Sequence, residues 1–203
     1  MEYINVAYVI SAVCFILGIK KLSHPKTARN GNALAALGML IAILSTLYSG
    51  ETLDPQMIGI GVLIGTIIGG LAAQKVEMTQ MPQLVAIFNG FGGASSALIA
   101  TAEFLPSFSG EIFTLITIML SVIIGTLTFT GSFIAFGKLQ GFVSSKPIVY
   151  MGQQLINGLI VLTLIGSTVY IGCNPSIINC FYLILILSAI IGITLTLPIG
   201  GAD

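Results

Sequence analysis

The charges of this chain are bunched so tightly that six long stretches carry none at all: 3–19, 30–50, 55–74, 78–102, 112–137 and 147–202. A run of roughly 17–25 apolar residues crosses a bilayer as a helix, and each stretch is near or above that length. The last is about twice as long and is broken by Cys173-Asn174-Pro175-Ser176, a helix-stop and turn signal. The pattern predicts an all-α polytopic membrane helix bundle of about seven transmembrane helices. They lie near 3–19, 33–49, 57–73, 81–102, 112–136, 154–172 and 177–198, in a single transmembrane domain over 1–203. Only 7% of residues are charged, against roughly 25% in a soluble domain that must cover its surface.

The basic residues predict an orientation. Lys20, Lys21, Lys26 and Arg29 fall in the first connection, Lys75 in the third, and Lys138 and Lys146 in the fifth. An odd number of spans separates these connections, so they share one side. Short loops rich in Lys and Arg stay cytoplasmic, which puts the N-terminus outside and the C-terminus inside. A secretory signal carries its basic residues before the apolar core. Here Glu2 precedes the core and Lys20-Lys21 follow it, so the first span is expected to be retained.

Helices associate in lipid by close backbone approach at small residues. Gly61, Gly65 and Gly69 repeat every four residues along the third span, a stripe expected to pack against a neighbour. The fourth span is more polar: Asn89 stands beside Gly90, Gly92 and Gly93, with Ser95 and Ser96 following. An unpaired amide in an apolar medium costs several kcal/mol, so Asn89 is expected to face other helices or water. It either packs through an interhelical hydrogen bond or lines a polar conduit. In the fifth span Gly125, Thr128 and Ser132 share a helix face, with Thr126 and Thr130 on the neighbouring flank. Hydroxyls there either bond back to their own backbone or join Asn89 along one passage.

No carboxylate, Lys, Arg or His is expected deep in any span. A proton path usually carries an ionisable group within the bilayer, so such a group is expected from another chain. His24, the single histidine, sits in the first basic loop. Cys14 lies within a span, while Cys173 and Cys180 fall near the outer face, where either free thiols or a disulfide is conceivable. No Cys and His spacing suggests a metal site. Gly90-x-Gly92-x-x-Ser95 is close to a dinucleotide fingerprint, but that motif needs a preceding strand and a βαβ context. No cofactor site, catalytic residue or nucleic-acid partner is expected in the chain itself.

Several runs are nonetheless distinctive. Lys75-Val76-Glu77-Met78-Thr79-Gln80-Met81-Pro82-Gln83-Leu84-Val85-Ala86-Ile87-Phe88-Asn89-Gly90-Phe91-Gly92-Gly93 resembles the beta subunit of proton-translocating nicotinamide nucleotide transhydrogenase. So do the run from Thr128 to Gly141, Ser145-Lys146-Pro147, the terminal Pro198-Ile199-Gly200-Gly201-Ala202-Asp203, and the loop from Leu22 to Arg29.

The resemblance implies a membrane part that couples hydride transfer between NAD(H) and NADP(H) to proton translocation. Both nucleotides are then held by soluble partner domains, with two further membrane helices and the NADP(H)-binding domain following the position of Asp203. It implies a proton path at Asn89, Thr128 and Ser132 and a coupling loop at Lys75, Glu77 and Asp203. Asn89 falls where some members carry a channel histidine; in members with asparagine there, an alpha-type subunit supplies the histidine instead. Implied with these are an alpha-type subunit bearing the NAD-binding domain, a dimer of the complex and a bacterial cytoplasmic (inner) membrane. The residues alone also leave open a self-contained secondary transporter or channel, or a scaffold for other membrane subunits.

Overall fold

The computed structural model describes residues 2–49, 54–105, 111–174 and 178–200. The regular structure of the described residues is all helical, with no strand: α1 (Glu2–Leu22), α2 (Pro25–Ser49), α3 (Pro55–Lys75), α4 (Met81–Phe104), α5 (Ile112–Leu139), α6 (Gln153–Cys173) and α7 (Ile178–Thr196). A short 3-10 turn, Met78–Gln80, leads into α4. All seven helices are long and apolar enough to cross a membrane. A helix satisfies its backbone groups internally, the condition hydrocarbon imposes.

Helix lengths depart from the apolar spans where polar residues continue the helix beyond the hydrocarbon-length run. α2 begins at Pro25 rather than near residue 33, because Pro is tolerated in the first turn. The hydrophobic reading saw only the apolar part of it.

The chain divides into two compact units, Met1–Leu71 and Ala72–Asp203. In the first, α1 and α2 form a hairpin packed through small residues. A methyl placed on Gly31 would lie 2.7 Å from the Gly18 carbonyl oxygen, and one on Gly38 would lie 3.0 Å from that of Ser11. The Ser11 hydroxyl donates to the Gly38 carbonyl at 2.7 Å across this contact. At the turn, the Thr27 hydroxyl donates to the Lys21 carbonyl at 2.6 Å, satisfying one of the open acceptors at the end of α1. Within this unit, a methyl added to Gly61, Gly65 or Gly69 of α3 would meet nothing within 4 Å. The packing expected of the stripe is not made within this unit.

The second unit is built on α5. Its antiparallel partner α4 crosses it where Gly93 and Gly125 meet, each so close that an added methyl would lie 2.6 Å from the other's carbonyl oxygen. On another face α7 packs as tightly, and a methyl on Gly192 would lie 2.5 Å from the Leu127 carbonyl oxygen. The Thr130 hydroxyl donates to the Ala189 carbonyl at 3.0 Å across this second contact. Met119, Val122, Ile171, Phe181 and Ile184 fill the apolar core between these helices, with Phe104 stacked on Phe181 at 4.6 Å between ring centroids.

Candidate functional site

In the second unit, α4 and α5 place the two polar residues singled out by the sequence against one another. The Asn89 amide nitrogen donates to the Ser132 hydroxyl oxygen at 2.8 Å. The local sequence makes this possible through Gly90: a methyl there would lie 3.2 Å from Ser132 Cβ and 3.3 Å from the Phe133 ring. Ser132 is 8% exposed, while Asn89 stands on the open flank of the pair. One turn away, Thr128 is half-buried beside Gly93, where an added methyl would lie 2.8 Å from Thr128 Cβ. The Thr128 hydroxyl has no hydrogen-bond partner among the described residues. Asn89, Ser132 and Thr128 are thus brought to one contact. Thr130 is turned away and serves the α5–α7 packing instead.

The pair can order water and orient a neighbouring ionisable group. An amide and a hydroxyl each donate and accept, yet neither changes charge near pH 7.

The residues of the expected coupling loop are placed apart from it. Lys75 ends α3 and Glu77 precedes the 3-10 turn, both exposed. Glu77 is twelve residues before Asn89, most of them helical, or roughly 18 Å at about 1.5 Å per residue. Asp203 lies outside the described residues.

Lys138 and Gln83 were not singled out by the sequence. Lys138, expected as a loop cation, is 4% exposed. Its ammonium donates to the carbonyl oxygens of Leu197 and Ile199, the latter at 2.6 Å. The usable signal was the end of α7 at Leu197-Pro198, where terminal carbonyls lack helical partners and a nearby cation is favoured. Gln83 donates from Nε2 to the Leu139 carbonyl at 3.3 Å, tying the start of α4 to the end of α5. Its buried Oε1 has no partner among the described residues. Cys14, Cys173 and Cys180 are free thiols.

The glycine cluster does not fit a dinucleotide. Gly90, Gly92 and Ser95 all lie within α4, where amides are taken up by helical bonds and are not free to cradle a pyrophosphate. No group of three or more His, Cys, Asp or Glu suited to a metal ion occurs among the described residues.

Seven apolar helices with a polar pair set between two of them define a multi-pass membrane protein. The chain belongs to the NAD(P) transhydrogenase beta subunit family, whose profile matches residues 4–203. Two curated relatives, both called NAD(P) transhydrogenase subunit beta, come from Rhodospirillum rubrum and from a named strain of it. Each is 38% identical over 205 residues, covering 97% of this chain. The chain spans 44% of the length of those relatives.

Proposed function

We propose that the chain forms the membrane, proton-conducting part of a transhydrogenase that couples hydride transfer between NAD(H) and NADP(H) to proton translocation. The observation that carries this reading is the Asn89–Ser132 hydrogen bond, a polar contact between two apolar helices and within the matched residues.

Buried polar groups in a membrane helix are costly and mark ion or substrate paths. In this reading Asn89, Ser132 and Thr128 hold a short file of water. The group that takes and releases the proton is a histidine of an alpha-type partner subunit. Both nucleotides sit in partner domains, because the residues of this chain do not fit them. Lys75, Glu77 and Asp203 face those domains on the cytoplasmic side of a bacterial inner membrane, within a dimer of the complex.

Purification through a tag on this chain, under native lipid conditions, tests the reading. The expected result is co-recovery of NAD- and NADP-binding subunits. Vesicles holding that assembly should develop a proton gradient on hydride transfer from NADPH to an NAD analogue. Recovery of the chain with no nucleotide-binding partner would sink it.

A further inference from the structure

The α4–α5 contact carries polar side chains well beyond the Asn89–Ser132 pair, towards the Glu103 end of the bundle. On α4, Asn89, Ser96 and Glu103 are spaced seven apart. Seven residues fall about 20° short of two turns, so the three share one flank. On α5, Thr128 and Ser121 are also seven apart, with Thr117 one turn further on. The two flanks meet: Ser96, Glu103, Thr117 and Ser121 line one groove of about 250 Å³ between the helices.

The hydroxyls along it are set for water. Elsewhere in these helices Ser and Thr fold back on a carbonyl four residues earlier, as Thr101 does on Ala97 at 2.7 Å and Ser188 on Ile184 at 2.7 Å. Thr117 does so within the groove, at 3.0 Å to Phe113. Ser96, Ser121 and Thr128 take no partner among the described residues. An unbonded hydroxyl facing lipid is unfavourable, and three on one line favour a wet groove. Asn89 to Glu103 spans fourteen helical residues, about 21 Å at 1.5 Å each, most of a hydrocarbon core of about 30 Å.

We propose that this groove is the outer half of the proton conduit and that Glu103 is the proton-collecting group at its mouth. The inference rests on the function proposed above. It adds an ionisable group supplied by this chain itself, where the sequence pointed only to a partner's. A proton from the outer solvent binds the Glu103 carboxylate. The resulting carboxyl donates it to the first groove water, which restores the carboxylate. The excess proton then passes along water held by Ser96, Ser121 and Thr128 to the Asn89–Ser132 pair. The other carboxylate described at that end is Glu111 before α5, and the titratable side chains that α6 and α7 carry there are Tyr170, Cys173, Cys180 and Tyr182.

The test uses the assembled complex in vesicles. Ser96→Cys and Ser121→Cys, each in a background with the native cysteines replaced by serine, are treated with a small water-soluble methanethiosulfonate from the Glu103 side. The expected result is a five-fold or greater loss of proton pumping that a reducing agent reverses. Ser95→Cys, whose native hydroxyl is bonded to the Gly92 carbonyl, is expected to pump normally after the same treatment. Glu103→Gln is expected to lower pumping by a similar factor, and Glu103→Asp, which keeps a carboxylate at the mouth, to restore most of it. Because the reagent acts on complexes already folded and pumping, a folding defect cannot mimic the block. Modified cysteines at 96 and 121 that leave pumping untouched, or a Glu103→Gln complex that pumps as the parent does, would overturn the groove alone. Absence of pumping from the unsubstituted complex would overturn the function on which it rests.

Discussion

The buried ammonium of Lys138, in the last turn of α5, reaches 2.6 Å from the carbonyl oxygen of Ile199, beyond the end of α7. It also donates to the Leu197 carbonyl, which receives the Ile148 amide at 3.1 Å. Two parts of the second unit, the end of α5 and the α5–α6 connection, therefore converge on one acceptor just past the end of α7. A helix terminus otherwise left with open carbonyls is closed by a cation from its neighbour.

Removal of that cation should loosen this end of the bundle. Lys138→Met keeps the length and apolar stem but takes the donor from the Ile199 carbonyl and leaves the Leu197 carbonyl with the Ile148 amide alone. Hydrogen bonds to charged groups are worth about 1.5–3 kcal/mol, so the loss should be about 2 kcal/mol. Thermal unfolding of the purified chain in detergent should then fall by roughly 4–8 °C. Lys138→Arg should recover most of this, since a guanidinium offers donors at similar reach. A Met variant that melts with the parent would show that the carbonyls find other donors at no cost.

The membrane spans were legible because hydrocarbon demands long uncharged runs, and that demand is written residue by residue. The Asn89–Ser132 contact was partly legible: the hydroxyls of the fifth span were one of two ways expected to join Asn89 along one passage, and Gly90 stands beside Asn89. Lys138 was not. Its acceptors lie 59 and 61 residues away, and a Lys at the end of an apolar run reads as an ordinary loop charge. The groove hydroxyls were equally hidden. Whether Ser96 or Ser121 bonds back to its own helix is a side-chain choice that spacing does not reveal.

The glycines divide into two kinds that should respond differently. Gly93→Leu or Gly125→Leu forces a side chain onto backbone 2.6 Å away, and such overpacking costs at least about 1–3 kcal/mol. Either should abolish recovery of monodisperse chain by size-exclusion chromatography. A methyl added at Gly65 would meet nothing within 4 Å in its own unit, so with Gly65→Leu the isolated chain should elute as the parent does. Its effect should appear in the assembled complex, as a lower yield through lost close helix packing. Equal losses from all three in the isolated chain would contradict the structural distinction.

The orientation expected from the seven basic residues is open to direct labelling. Cysteines placed beside Arg29, Lys75 and Lys146 should be shielded from an impermeant maleimide added to intact cells. One beside Asp54 or Glu111 should label, each in a background lacking Cys14, Cys173 and Cys180. Permeabilised cells should label at every position. Labelling of the Arg29 position in intact cells would reverse the proposed topology and, with it, the side on which Glu103 meets solvent.

The polar pair itself can be separated from packing by two substitutions of unequal size. Asn89→Leu removes the amide and fills the space beside Gly90, so it should both break the bond to Ser132 and expel water. Proton pumping by the assembled complex should fall at least ten-fold while the yield of complex stays within about two-fold, because Asn89 stands on the open flank rather than in the core. Ser132→Ala removes one hydroxyl but leaves its volume for a replacing water, so pumping should fall only two- to five-fold. Pumping and yield measured together decide the matter. If Asn89→Leu pumps normally at normal yield, the bond to Ser132 is a packing contact alone, and the conduit must run along a different pair of helices.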